Sequence, residues 1–279
     1  MGIARASRGG LLSILVVALP AGSSAQDVAN FDSAGVVLGS DLQQATAALK
    51  ERGFAVSQMV ATYPVAKDTS FVQALTAEKE DEVTRENVVV RLDEPPSESR
   101  AFLIWRSISF KPGKAPTVES YRAAVREKAG NETYWHDERG SVIEQYVQWS
   151  KSGKKRGGLF RMMDSLPSSY PNACVVGIGV SKSDEAIRAK VRYPEYGRMG
   201  GNGPPPVAGV IVPQERCAAG LVVRYFVPDR ATGLVSRVDL LLIDQARSEA
   251  MVARRDKFLE ERRVAQVKAA RDAGGKPVL

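Results

Sequence analysis

Residues Val36 to Phe54 read VVLGSDLQQATAALKERGF, and the fold is argued outward from them. Val36, Val37 and Leu38 are apolar and partly β-branched, which suits a short strand. Gly39 permits the turn out of that strand. Ser40 falls where a helix N-cap belongs. Gln43, three residues on, completes a capping box in which the two side chains satisfy each other's backbone N–H groups. Asp41 in the first turn complements the positive helix end. Leu42, Ala45, Thr46 and Leu49 recur at helical spacing and make one apolar face. Gly53 is placed to end the helix, with Phe54 behind it to touch Leu49, as in a Schellman motif. Start, face and stop agree on strand, turn, helix.

The next segments read as sheet. Phe54 to Val65 is extended and stops at Tyr63-Pro64; Phe71 to Leu75 is too short a window to separate strand from helix. Glu78 to Glu86 is charge-rich and reads as a solvated hairpin or loop. Val88 to Leu92 is a strand that ends at Asp93-Glu94-Pro95-Pro96, because proline cannot continue a ladder. Ala101 to Phe110, AFLIWRSISF, is the strongest strand. Phe102, Ile104, Arg106, Ile108 and Phe110 share one face, and Leu103, Trp105, Ser107 and Ser109 share the other, so a central position is expected. Thr117 then caps a second helix with Val118, Tyr121 and Val125 on one face and Gly130 at its end. Its Ala123 to Gly130 echoes Ala47 to Gly53, as a twofold repeat of a helix-on-sheet unit would.

The Leu38-Gly39-Ser40 turn with a helix closing on Gly53-Phe54 resembles the opening unit of the BamE/OmlA-type outer-membrane lipoproteins. It is similar also to exported bacterial proteins with a β-lactamase-inhibitor-protein-like fold. RLDEPP from Arg91 and AFLIWRSISFKPGKAPTVESYRAAVREKAGN from Ala101 add to that resemblance, which spans much of Val36 to Ile243. It implies a helix packed on a small antiparallel sheet, often repeated, in an exported protein. It implies no activity.

The residues before the fold read as an export signal. Arg5 and Arg8 form a positive start, Leu11 to Leu19 an apolar core, and Ser23-Ser24-Ala25 a small-residue cleavage site before Gln26. The apolar run is shorter than the ~20 residues of a spanning helix. No Cys stands near the cleavage site, so no lipid attachment is expected there. The chain holds 39 Lys and Arg against 32 Asp and Glu. The leader takes two of the arginines and no acid, leaving a basic excess too mild and scattered to indicate nucleic-acid binding. Export makes Cys174 and Cys217, the only cysteines, simplest to read as one disulfide. Its loop of roughly 40 residues corresponds to ~4 kcal/mol in the chain-entropy account.

The second half continues with strands at Val142 to Trp149 and Val175 to Val180. Leu221 to Val227 and Val235 to Ile243 form a hairpin around Pro228 to Gly233. Lys151 to Arg161 is a basic Gly-rich loop, read either as a mobile loop or as a patch for phosphate or lipopolysaccharide. Tyr193 to Pro206 is a Gly/Pro-rich insert without the signature of a phosphate loop. From Asp244 the chain is a long charged helix whose first turns dock through Ile243, Ala246, Ala250 and Met251. It lacks the paired seam of a coiled coil and reads as a projecting helix or a partner-binding arm.

The expectation is therefore an α+β protein: antiparallel sheets with packed helices, two similar helix-on-sheet units, and a long C-terminal helix. The organisation reads as a signal peptide over 1–25, a first unit over 26–110, a second with the disulfide and insert over 111–243, and the charged helix over 244–279. No catalytic, cofactor or metal residues stand out. His136 beside Asp137 and Glu138 has no second histidine to share a metal and reads as a surface turn. Trp105, Trp135 and Trp149 read as core or sheet-face residues. The function expected is a non-enzymatic periplasmic or secreted protein-interaction or envelope-associated module, without cofactor, membrane span or nucleic acid. The alternatives are a hydrolase-like enzyme with a dispersed acidic site, or an inhibitor-like binder of an extracellular enzyme using an exposed concave sheet.

Overall fold

The computed structural model describes residues 28–63, 66–132, 134–138, 140–149 and 217–274. The elements run α1 (Leu42–Glu51), β1 (Ala55–Tyr63), β2 (Ala66–Glu80), β3 (Thr84–Leu92) and β4 (Ala101–Phe110). Then follow α2 (Val118–Ala129), β5 (Tyr134–Glu138), β6 (Ser141–Trp149), β7 (Cys217–Phe226), β8 (Arg237–Asp244) and α3 (Gln245–Ala273). All the strands join one antiparallel eight-stranded sheet in the order β1-β2-β3-β4-β8-β7-β6-β5. The fold is α+β. It is one continuous sheet rather than separate sheets, because β4 and β8 pair directly, Leu103 against Ile243 through Ser109 against Arg237. The order is symmetric about that pair. Among the described residues each half is a helix followed by four strands, and each half donates its last strand to the centre.

The opening stretch folds with two changes. Val36 forms only an isolated bridge back to Ser33, not a sheet strand. Ala34 and Gly35 between them have φ of 54° and 82°, the left-handed pair of a tight two-residue turn. Val36 is fully buried there as a core residue. The N-cap is Asp41, one residue later than expected. It accepts a hydrogen bond from the Gln44 backbone at 2.8 Å, while Gln44 Oε1 accepts from the Asp41 backbone at 3.0 Å. Both registers satisfy the same orphan donors, and the carboxylate at the cap also faces the positive helix end. The C-terminus is the Schellman ending: Phe54 N–H reaches Leu49 O at 3.1 Å and Gly53 N–H reaches Lys50 O at 2.9 Å. Gly53 sits at φ 82°. Ala45 and Leu49 are the buried face of α1.

α1 and α2 cover one face of the sheet. Their buried Ala45, Leu49, Val118, Val125 and Ala129 share a core with Leu75, Val88, Val90, Ile104, Ile108, Leu221, Val223 and Leu240. The opposite face carries a second core of Val89, Leu103, Trp105, Val222, Leu241 and Ile243, closed by Met251 of α3. β4 and β8 are therefore buried on both sides, which explains their near-continuous apolar sequences.

α3 docks further than its first turns. Ile243 and Met251 lie in the second core as expected, whereas Ala246 and Ala250 are exposed and Ser248 and Arg255 are buried. Phe258 and Leu259 then pack on Tyr63 and Phe71 of β1 and β2. The docked stripe follows helical spacing, but it also holds Ser248 and Arg255, so the apolar pattern alone placed only part of it. Positions from Glu260 to Asp272 are exposed. Phe71 to Leu75 resolves to strand, within β2. His136 belongs to β5 rather than to a surface turn; the strand exists because β6 supplies its ladder. Trp105 is buried, while Trp135 is 43% exposed and so is not a core residue.

The leader with Ala25 and Gln26, the basic loop, the Gly/Pro-rich insert, Cys174 and Val175 to Val180 lie outside the described residues. Cys217 is the first residue of β7.

Candidate functional site

Three polar assemblies are built on this frame, and two of them lie between a helix and the sheet. The first lies beneath α2. Glu144 projects from β6 into the α1/α2 core and is fully buried. Its Oε2 accepts from the hydroxyls of Tyr146 at 3.0 Å and Tyr225 at 2.7 Å, and its Oε1 accepts from Arg122 Nε at 2.5 Å. Arg122 and Arg126 also bind Glu132, and the Arg122 guanidinium lies 5.1 Å from the ring of the exposed Trp135. Burial, then the Glu144 charge, drive both tyrosine hydroxyls far above their ordinary pKa, so they remain donors. Both carboxylate oxygens are engaged, and this is a buried strut between α2 and the sheet.

The second assembly lies between α3 and the sheet. Asp93 and Glu94, just past the end of β3, are buried at 1% and 2% exposure. Arg247 Nη1 donates to Asp93 at 3.1 Å, Arg255 Nη1 lies 3.5 Å from Glu94, and the Tyr63 hydroxyl donates to Glu94 at 3.2 Å. Burial raises the Asp93 carboxyl above its ordinary pKa, against the pull of Arg247 and Arg254.

The third assembly is the candidate site. It occupies the half of the α3 face that no described helix crosses. Two adjacent rows run across the central strands in register. One row is Asn87, Ser107, Asp239 and Arg224; the other is Arg85, Ser109, Arg237, Phe226 and Ser141. Alternation along β4, β7 and β8 puts these side chains on one face. The Ser107 hydroxyl donates to Asp239 Oδ1 at 2.7 Å, and Arg237 Nε lies 3.2 Å from the same oxygen. Arg224 Nη2 donates to Ser141 Oγ at 3.4 Å. The guanidiniums of Arg237 and Arg224 lie 3.7 Å and 4.9 Å from the Phe226 ring. Burial raises the Asp239 carboxyl, partly offset by Ser107, Arg237 and Arg224.

Among the described residues Ser107 has a carboxylate partner but no imidazole, so the base-and-orienter pair of an activated nucleophile is not assembled there. Among the described residues no cluster of His, Cys, Asp and Glu is placed to hold a metal. Nor, among them, is any helix long and apolar enough to cross a membrane. Arginine stacked on an aromatic ring is a pairing of residue types enriched at protein interfaces.

Sequence reasoning did not single out Glu144, Asp93, Glu94 or Asp239. A usable signal was present for two of them. Asp239 interrupts the apolar run Val238 to Ile243, and Glu144 falls two residues from Tyr146 on the inward face of its strand. Asp93 and Glu94 read as a strand terminator because prolines follow them.

No family model matches the chain, and no curated protein or solved structure matches it either.

Proposed function

We propose that this protein is an exported, non-enzymatic protein-binding module, working in the periplasm or outside the cell. The observation that carries the reading is a sheet face that α3, among the described residues, crosses over one half only. The other half carries the part-buried Arg224–Phe226–Arg237 stack beside Ser109 and the exposed Arg85, over the buried Ser107, Ser141 and Asp239. A strand-built face with an aromatic–arginine centre offers anchors to a protein partner. The buried acids support the same reading against an acidic hydrolase: Glu144, Asp93 and Asp239 are each engaged by arginine, tyrosine or serine. Export rests on the Arg5 to Ala25 pattern. Kinship with the BamE/OmlA-type and inhibitor-like families rests on the quoted motifs, with the helix-then-four-strand halves in support.

The test is capture from the native envelope fraction after mild cross-linking. The wild type is compared with a chain ending at Glu261 and with a Phe226→Ala, Arg85→Glu variant. A defined protein held by the first two and lost by the third supports the reading. Capture unaffected by the face variant contradicts it.

A further inference from the structure

We infer that α3 is a releasable strap: it lifts from the sheet as a unit while the sheet and the other two helices stay folded, uncovering the apolar face around Trp105, Leu103, Leu241 and Ile243. The inference rests on the geometry of the α3 contact and is independent of the binding reading above.

Three observations carry it. First, the contact is poor in apolar burial. Over 29 residues, α3 buries one apolar side chain completely, Met251, and packs Val252, Phe258 and Leu259 only partly. Second, the rest of the contact is charge taken out of water. Asp93, Glu94 and Arg255 are all at least nine-tenths buried, and Asp93 Oδ1 has no hydrogen-bond donor among the described residues. Desolvation of such groups consumes much of what their attraction returns. Third, α3 does not need the sheet to be a helix. The Asp244 side chain caps it through the Arg247 backbone at 2.8 Å, and Glu260–Arg263 and Lys257–Glu261 pairs staple its exposed turns. A long capped helix with internal pairs persists alone far better than a short one. Docked and lifted states therefore differ by the contact itself. The sheet keeps its ladder and the whole α1/α2 core in both. Elements with such weak contacts open before the global transition.

Lifting is read through side-chain accessibility, since the backbone of a lifted helix stays hydrogen-bonded. Met251→Cys reports on the α3 contact and Val90→Cys on the α1/α2 core, where Val90 is fully buried. Each variant of the full chain is exposed to a thiol reagent at neutral pH, and labelling is located by peptide mass so that native cysteines do not interfere. The M251C thiol is expected to label at least about 100-fold faster than the V90C thiol, at a rate that rises less steeply with low urea than the V90C rate, because lifting exposes less surface than global unfolding. Adding Asp93→Asn removes a buried charge and is expected to slow M251C labelling several-fold while leaving V90C unchanged. Equal slow labelling at both sites, accelerated together by urea, overturns the strap. Faster M251C labelling with Asp93→Asn overturns the claim that buried charge loosens it.

Discussion

Removing the Glu144 carboxylate should nearly unfold the protein. Glu144→Ala deletes the acceptor for the Tyr146 and Tyr225 hydroxyls and the partner of Arg122 Nε, at a position with no solvent exposure. Breaking a buried ion pair from one side costs about 3–5 kcal/mol. Each stranded buried hydroxyl adds about 1–3 kcal/mol. Neighbouring losses overlap, so a total of about 4–6 kcal/mol is expected rather than their full sum. That is comparable to the whole stability of a marginal domain, about 5–15 kcal/mol. Tyr225→Phe removes one donor and leaves Tyr146 and Arg122 in place, so about 1 kcal/mol is expected. Urea unfolding read by circular dichroism supplies the numbers, with an unchanged denaturant slope confirming that the native state is intact. A Glu144→Ala protein that loses less than about 1 kcal/mol would refute the strut argument.

Further outcomes follow from the same geometry. Asp239→Asn should stabilise the protein at pH 7, and the advantage should vanish near pH 4. A carboxyl whose folded pKa is raised supports folding fully below its ordinary value and loses that support as pH rises through the folded one; denaturation midpoints at the two pH values check it. Gly53→Ala should cost about 1 kcal/mol, because φ is 82° there although nothing lies within 4 Å of the new methyl. A chain ending at Glu261 should keep the wild-type melting temperature, since Arg262 to Asp272 are exposed; a chain ending at Asp244 should not, because without Met251 the second core is left open. Mass spectrometry of the exported protein should give Gln26 as its first residue.

Much of this fold was legible because local signals agreed with one another. The Leu49–Gly53–Phe54 ending, the Thr117 cap and the limits of β4 all stand where the residues put them. Central strands announce themselves through apolar runs on both faces, as Leu240 to Ile243 do. Legibility failed where chemistry was ambiguous over one residue or where charge was buried. Ser40 and Asp41 are both good caps, and only tertiary placement chooses between them. Val36 to Leu38 has strand composition, yet the Ala34-Gly35 turn folds Val36 back on Ser33 before any sheet partner is reached. Of the α3 contact the sequence showed Ile243 and Met251 but not the rest, because Arg255 and Ser248, polar by type, are buried, Arg255 beside Glu94. The Ser107–Asp239–Arg224 row was invisible for a different reason: Ser107 lies 132 positions from Asp239, and strand register assembles them.

Partner binding at the sheet face that carries Arg224, Phe226 and Arg237 is best tested by site-specific photo-cross-linking. A photoreactive phenylalanine analogue replaces Phe226, or Glu119 on α2 across the sheet, and the protein is illuminated in the cells that make it. The account predicts one covalent adduct of defined mass from position 226 and none from position 119. No adduct at 226, or the same adduct from both positions, would contradict it.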